Sequence, residues 1–472
     1  MNVVPPPGRL FGNHAVVIGA SISGLLAARV LASHFHRVTL FDRDQLPPGA
    51  EPRKAVPQGR HGHGLLASGF RGLRRLFPAL ERELIEGGAV PGDVIGSVRW
   101  YQHGYYKAKF ASGLDGLLLS RPFLEATLRR QVLQIPNVRI DGDTHVAGLQ
   151  EDQGWVRGLR IRQGGESRVR LVGADFVIDA SGRGSRSPEW LEEMGYERPA
   201  VEEVAIDLGY TSRIYRRRPA DLNGDAGAVI APKPPYERRV GFMLAMEGNR
   251  WMVTMGGWLG TRAPADPQGY LEFAKTLARP DVYEVVSRAE PLSDPVTYVF
   301  PSNLRRRYER LRRFPSHYLV IGDALCSFNP LYGQGMSVAT LEALTLADTL
   351  SRASSIADLW RTFFRSSAQV VDTPWMIATG GDLAFDGVTG ARPVSVRAVN
   401  WYLNHVHRAA ATDRHVCRAF FDVANLLKPP TALFKPSVVA RVFRECVAVD
   451  SPLTIESDRS ITTAHGPMIE TH

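Results

Sequence analysis

With 472 residues, an apolar share of 44% and a charged share of 22%, the composition excludes a disordered chain and leaves room for two or three structural units. The formal charge of +9 is spread over basic runs such as "YRRRP" (215–219) and "LRRRYERLRRF" (304–314), broken by apolar or acidic residues, which argues for a solvated arginine-rich face and against nucleic-acid binding. Three cysteines without a CxxC exclude a disulfide framework and a zinc ribbon, and no apolar run nears the roughly 18 residues of a bilayer span, so a soluble, cytoplasmic protein without a transmembrane segment is expected.

The N-terminal "MNVVPPPGRLFGNH" lacks a basic start followed by an apolar run and reads as an extension rather than a signal peptide. "VVIGASISGLLAARVL" (16–31) then has the pattern of a strand, a glycine turn and a helix, and "RVTLFDRD" (37–44) that of a second strand. In such a crossover Gly19 makes the sharp turn, Ser21 takes the slot where backbone approaches a pyrophosphate, and Gly24 lets helix pack on strand. The small Ser21 hydroxyl is expected to donate to a phosphate oxygen. Asp42, beside Arg43 at the end of the second strand, is expected to accept from ribose hydroxyls.

A Pro- and Gly-rich loop (45–64) carrying Arg60 follows, then a helical patch at 69–87 and the aromatic segment "VRWYQHGYYKAKF" (98–110). "SRPFLEATLRRQVL" (120–133) predicts a helix capped by Ser120. Strand patterns lead to a second glycine-rich turn, "DFVIDASGRGSR" (175–186), with Asp179 and Gly182. From 202 to 299 the pattern alternates as in an antiparallel sheet, with Gly248-Asn249 between two strands. There Met243, Met246, Met252 and Met255 are either sheet core or an adaptable wall for a bulky ligand. After the strand-like "YLVIGDA" (318–324) the chain reads as helical from 336 to about 447, and the last twenty or so residues as a loose tail. Its "NLLKPPTALFKPSVVARVFR" segment suits a packed helix better than membrane-surface contact.

"YLVIGDALCSFNPLYGQGMSVA" (318–339) resembles the second flavin motif of the para-hydroxybenzoate hydroxylase-like flavoprotein monooxygenases. The resemblance implies that Asp323, after Gly322, binds the ribityl chain of FAD, and that the turn through Pro330, Gly333, Gly335 and Met336 lays amides against the isoalloxazine at a helix start. Ser337 stands where the family usually has Asn. The 175–186 turn resembles the family's middle motif, with Ala180 after Asp179 as in the branch of squalene and polyether epoxidases. By the same resemblance the Arg53–Leu66 loop passes beside the flavin and Arg121 contacts the FAD pyrophosphate.

These readings imply an α/β fold: a Rossmann-like FAD-binding domain with an inserted antiparallel β-sheet substrate domain and a helical C-terminal region. The expected division gives residues 1–95, 115–186 and 301–345 to the FAD domain, 96–114 and 187–300 to the substrate domain, 346–450 to the helices and 451–472 to the tail. The implied activity is monooxygenation through a flavin C4a-hydroperoxide, epoxidising or hydroxylating a bulky, largely apolar molecule such as a polyketide, isoprenoid or aromatic secondary metabolite. NAD(P)H supplies electrons directly or through a flavin reductase, and molecular oxygen is the second substrate. The alternatives are a geranylgeranyl-reductase-type enzyme and a non-catalytic flavin scaffold. No catalytic side chain stands out; Phe328, Asn329, Pro330 and Tyr332 are expected to shape the cavity, Cys326 to be packed, and His61 and His63 to serve the loop rather than a metal.

Overall fold

The computed structural model describes residues 9–166 and 168–450, so the tail expected at 451–472 lies outside the described residues. At its centre is a five-stranded sheet in the order Tyr318–Val320, Phe176–Asp179, Gly12–Ile18, Phe35–Phe41, Val138–Asp141. All its pairs are parallel. Ala15, Val16 and Val17 are fully buried, as a strand covered on both faces requires. The helix Ile22–Leu31 packs on one side together with Gly335–Arg352, and buried Leu25, Leu26, Leu346 and Leu350 join one apolar core. The helix Arg121–Leu133 begins as predicted, with Ser120 Oγ accepting from the Phe123 amide.

An eight-stranded sheet forms the second layer, in the order Cys326–Ser327, Val296–Arg306, Val201–Arg216, Arg250–Gly257, Arg239–Met246, Gly227–Ile230, Val98–Gln102, Tyr105–Tyr106. The hairpin at Gly248-Asn249 is present, both residues having positive φ. The sheet differs from the antiparallel expectation at one place: Gly227–Ile230 pairs in parallel with Val98–Gln102. That strand arrives from a distant segment, so no hairpin fixes its direction. Val296–Arg306 also runs through the boundary expected at 300/301, and the helix Ser187–Glu193 buries Trp190 and Leu191 in the core of the parallel sheet.

The alternation of Arg239–Met246 decides the methionine question. Met243, Met246, Met252 and Met255 are buried, and Met243 and Met255 pack with Tyr270, Phe273 and the helix Asp281–Val286 behind the sheet. Val240, Phe242 and Leu244 on the opposite face line a cavity. Met243 and Met255 are sheet core, while Met246 and Met252 are buried on the Leu244 face without lining the cavity. Over that cavity lie the helices Leu359–Asp382, Val394–Ala409 and Arg414–Ala424, and Pro436–Asp450 packs on them. Among the described residues no helix is long and apolar enough to cross a membrane.

Candidate active site

At the first glycine turn a Cβ on Gly24 would lie 1.9 Å from the Gly19 carbonyl oxygen, so only glycine lets the helix sit this close to its strand. Gly19 itself has φ +98°. The first turn of Ile22–Leu31 carries no acidic residue, and its dipole and free amides present a positive end. Asp42 Oδ2 accepts from the Ala20 amide at 2.7 Å and pairs with Arg53 at 3.1 Å. Arg53 reaches on to Glu125 Oε1 at 2.7 Å. Ser21 Oγ donates to Glu125 Oε2 at 2.8 Å and accepts from Arg121 Nη2 at 2.9 Å. The Ser21 hydroxyl is thus engaged by Glu125 and Arg121, while Arg121 Nε is buried without a partner.

The second part of the site comes from the segment after Tyr318–Val320. Gly322, at φ +64°, turns the chain, and its amide donates to Glu342 Oε2 at 2.7 Å. Burial pushes the Asp323 carboxyl up from its ordinary value, and the positive charges of Arg121 and Arg183 pull it the other way. Asp323 also faces the start of Gly335–Arg352, since a Cβ on Gly335 would stand 3.8 Å from its Oδ1. Gly333, at φ +66°, lies against Gly64, each 3.3 to 3.4 Å from where the other's Cβ would be. The 53–66 loop thus closes on the 330–336 turn. Ser337 Oγ fastens it by accepting from the Leu66 amide at 3.0 Å.

Helix Gly335–Arg352 has no acidic residue in its first turn, and its N-cap Gln334 makes no side-chain cap; Gln334 Oε1 is buried and unpartnered. These amides, the Gly19–Gly24 cradle and the unpartnered Arg121 Nε suit an anionic dinucleotide joined to a ring that gains negative charge. The residues present therefore fit FAD. Gly19, Ser21, Gly24, Asp42, Arg121, Gly322, Asp323, Pro330, Gly333, Gly335 and Met336 surround this region. Arg43 and Arg60 are exposed. Asp179 is fully buried and consumed internally: it accepts from the Ser181 amide at 2.8 Å, from Ser185 Oγ at 2.5 Å and from Ser187 Oγ. These bonds fasten the Gly182 turn, where Gly182 has φ +85°.

A cavity of about 670 Å³, lined mainly by apolar side chains, opens from Gly62–Leu66 and Pro330–Gln334 and extends between the eight-stranded sheet and the C-terminal helices. Pro330 and Tyr332 line it as expected; Phe328 is buried in the core, and Asn329 is turned inward. Asn329 Nδ2 donates to Asp382 at 2.9 Å, as do Asn303 Nδ2 at 2.6 Å, Trp258 Nε1 at 2.8 Å and Tyr332 Oη at 3.2 Å. Burial pushes the Asp382 carboxyl up to about 6 despite these donors. His61 and His63 do not form a ligand pair: His61 Nδ1 meets Ser212 Oγ at 2.8 Å, and His63 Nδ1 meets the His61 carbonyl at 2.9 Å. Burial lowers them to about 4 and about 3, helped by Arg60 and Arg121 respectively, so both rings are neutral near pH 7. Cys326 is buried, and burial pushes its thiol up, which fits a packed residue.

Residues 17–82 match the family described as NAD(P)-binding Rossmann-like domain. The chain is 33% identical to "Protein Rv3254" of Mycobacterium tuberculosis over 398 residues, 80% of this chain and 81% of that protein. It is 24% identical to a kynurenine 3-monooxygenase of Salinispora tropica over 369 residues, 72% of this chain and 74% of that one. Among solved structures, a flavoprotein/dehydrogenase from Cytophaga hutchinsonii superposes with a TM-score of 0.64 at 14% identity, covering 93% of this chain and all (100%) of the other. The flavin-dependent brominase Bmp2 superposes with a TM-score of 0.62 at 13% identity, covering 93% and 99%. The expected fold class and the reading as an FAD-dependent oxidoreductase agree with these relatives. The chain has the fold of FAD-dependent oxidoreductases and belongs to the family of Protein Rv3254.

Proposed function

We propose that this protein is an FAD-dependent monooxygenase that inserts oxygen into a bulky, largely apolar small molecule by epoxidation or hydroxylation, with electrons from NAD(P)H. The observation that supports the reading is the 670 Å³ apolar cavity bordered by the Pro330–Gln334 turn, the turn that the flavin motif would lay against the ring. Bound FAD, once reduced, supplies the activation of oxygen; the protein's task is to hold the ring, exclude water and orient the substrate.

The chain's own residues suit that task. Val240, Phe242, Leu244, Trp258 and Leu331 wall the cavity with groups that carry no competing nucleophile. His63, neutral and next to Arg121, is available as an acceptor without adding charge to the ring's surroundings. Asp382 holds Asn329 and Tyr332, which fixes the turn facing the substrate. The carboxylate among the cavity-lining residues, Asp93, is taken up by Ser112 and by the amides of Ile95, Gly96 and Gly113, which favours electrophilic transfer to an alkene or an electron-rich ring over a reaction that needs proton abstraction.

The test is an absorbance spectrum of the purified protein followed by NADPH or NADH addition in air, with oxygen and peroxide recorded. Bound oxidised flavin, bleaching and oxygen uptake that couples to product support the proposal. Bleaching whose electrons go into a substrate double bond without oxygen uptake would replace it with a reductase of the geranylgeranyl type, and a flavin that neither nucleotide bleaches would call for a separate reductase.

A further inference from the structure

The cavity is not apolar throughout. At the end bounded by Gln102 and His103 from the sheet and by His407 from the helix Val394–Ala409, the imidazoles of His103 and His407 stack with centroids 3.9 Å apart and planes 10° from parallel. His103 Nδ1 meets Asn404 Oδ1 at 2.7 Å, which makes that nitrogen the donor and leaves Nε2 to face its surroundings. His407 is 6% exposed, and its Nδ1 is buried without a partner, as is Gln102 Oε1. Immediately behind, the 7% exposed Lys107 donates to the carbonyls of Gln102 at 3.1 Å and His407 at 2.9 Å. These two bonds leave one of its three N–H groups.

A buried lysine normally has a carboxylate partner, because the interior makes an isolated ammonium costly. Among the described residues no carboxylate acts on any of the three groups; the charges they feel come from one another, from Lys233 beside His103 and from the Cys417 thiol beside Lys107. Burial brings Lys107 down to about 7 and His103 to about 4, and lowers His407 as well. Two imidazoles therefore line one end of an apolar cavity, with Lys107 directly behind them, and among the described residues none of the three has a carboxylate partner.

We propose that this end binds a carboxylate carried by the substrate, so that the molecule oxidised is an amphipathic acid whose apolar body lies along the cavity toward the Pro330–Gln334 turn. The carboxylate binds with uptake of one proton from water; that proton, on Lys107 or on His103 Nε2, supplies the charge that pairs with the anion, and the His407 ring N–H donates beside it. The inference rests on the cavity being the substrate site and names the substrate class for it.

The test compares the binding of 1-pyrenebutyrate and its neutral counterpart 1-pyrenebutanol to the FAD-loaded protein at pH 7 by pyrene fluorescence. A charge-assisted contact of this kind gives the acid about tenfold tighter binding than the alcohol. Lys107→Met and the milder His103→Gln lower the acid's affinity by about tenfold while leaving the alcohol's within about twofold. Leu244→Trp, which fills the wall of the cavity, weakens both probes. Equal binding of acid and alcohol, or variants that move both probes together, overturns the carboxylate site and leaves the monooxygenase reading standing. Failure of both probes to bind a fully flavin-loaded protein removes the cavity as a substrate site and takes both proposals with it.

Discussion

Asp382 and Asn329, 53 residues apart, are joined by a hydrogen bond of 2.9 Å, tying the end of the long C-terminal helix to the turn that borders the cavity. The carboxylate is the common acceptor for Trp258, Asn303, Asn329 and Tyr332, drawn from three segments. Asp382→Ala strands these buried donors and is expected to destabilise the fold by roughly 3–5 kcal/mol, measured by urea unfolding. Asp382→Asn, which keeps the volume and one acceptor oxygen, falls between the two. A wild-type midpoint for Asp382→Ala would show that the cluster holds nothing together.

Glu342 sets a pH dependence. Burial, with Asp323 adding, pushes its carboxyl up from 4.5 to about 8. The folded chain thus binds more protons than the unfolded one between these values, and this contribution to stability, complete below 4.5, is lost as pH rises through 8. Glu342→Gln removes the effect. The variant therefore gains on the wild type between pH 5 and pH 8, by at most about 1.4 kcal/mol per pH unit, in urea unfolding at the two values. A gap that stays constant with pH contradicts the assignment.

Gly24→Ala places a methyl group 1.9 Å from the Gly19 carbonyl, a backbone atom that cannot turn aside. The helix must shift off its strand, and the expected result is a purified protein with little flavin absorbance and a stability lower by roughly 1–3 kcal/mol. Full flavin content would place the dinucleotide elsewhere.

Arg121 and Asp323 are tested together because the charge of one acts on the other. Arg121→Met removes a charge-assisted contact and is expected to weaken FAD binding roughly ten- to hundredfold in a titration of the apoprotein. Asp323→Ala is expected to reduce FAD occupancy after purification. Full occupancy in Asp323→Ala would sink the assignment of the 318–339 motif.

The parallel crossover was legible because its signals are local: apolar runs, Gly19 and Gly24 at fixed spacing, and Ser120 at a helix start. Contacts between distant segments left no such trace. Glu125 stands four residues after Arg121 on one helix face, a spacing that signals an ion pair, but nothing near it in sequence announces that it also takes the Ser21 hydroxyl and Arg53. Asp382 lies in a helix with no motif around it, and its partners are known only from the folded chain. The methionine pattern was ambiguous for another reason: Arg239–Met246 is covered on both faces, so alternation separates two sets of side chains without saying which set meets the cavity. The internal partners of Asp179 were not legible either, because Ser185 and Ser187, which donate to it, look like ordinary turn residues.

The parallel pairing of Val98–Gln102 with Gly227–Ile230 bears on how the chain reaches this structure. The first strand emerges early in synthesis but has no neighbour on that edge until the second is made, and both border the cavity through Trp100 and Val229. Closing so long a loop costs entropy before any pairing is gained, which makes this a slow step in folding. Until it is complete, the apolar faces that later enclose the cavity stand open to water and to other chains, and expression at low temperature or with chaperones should raise the yield of folded protein.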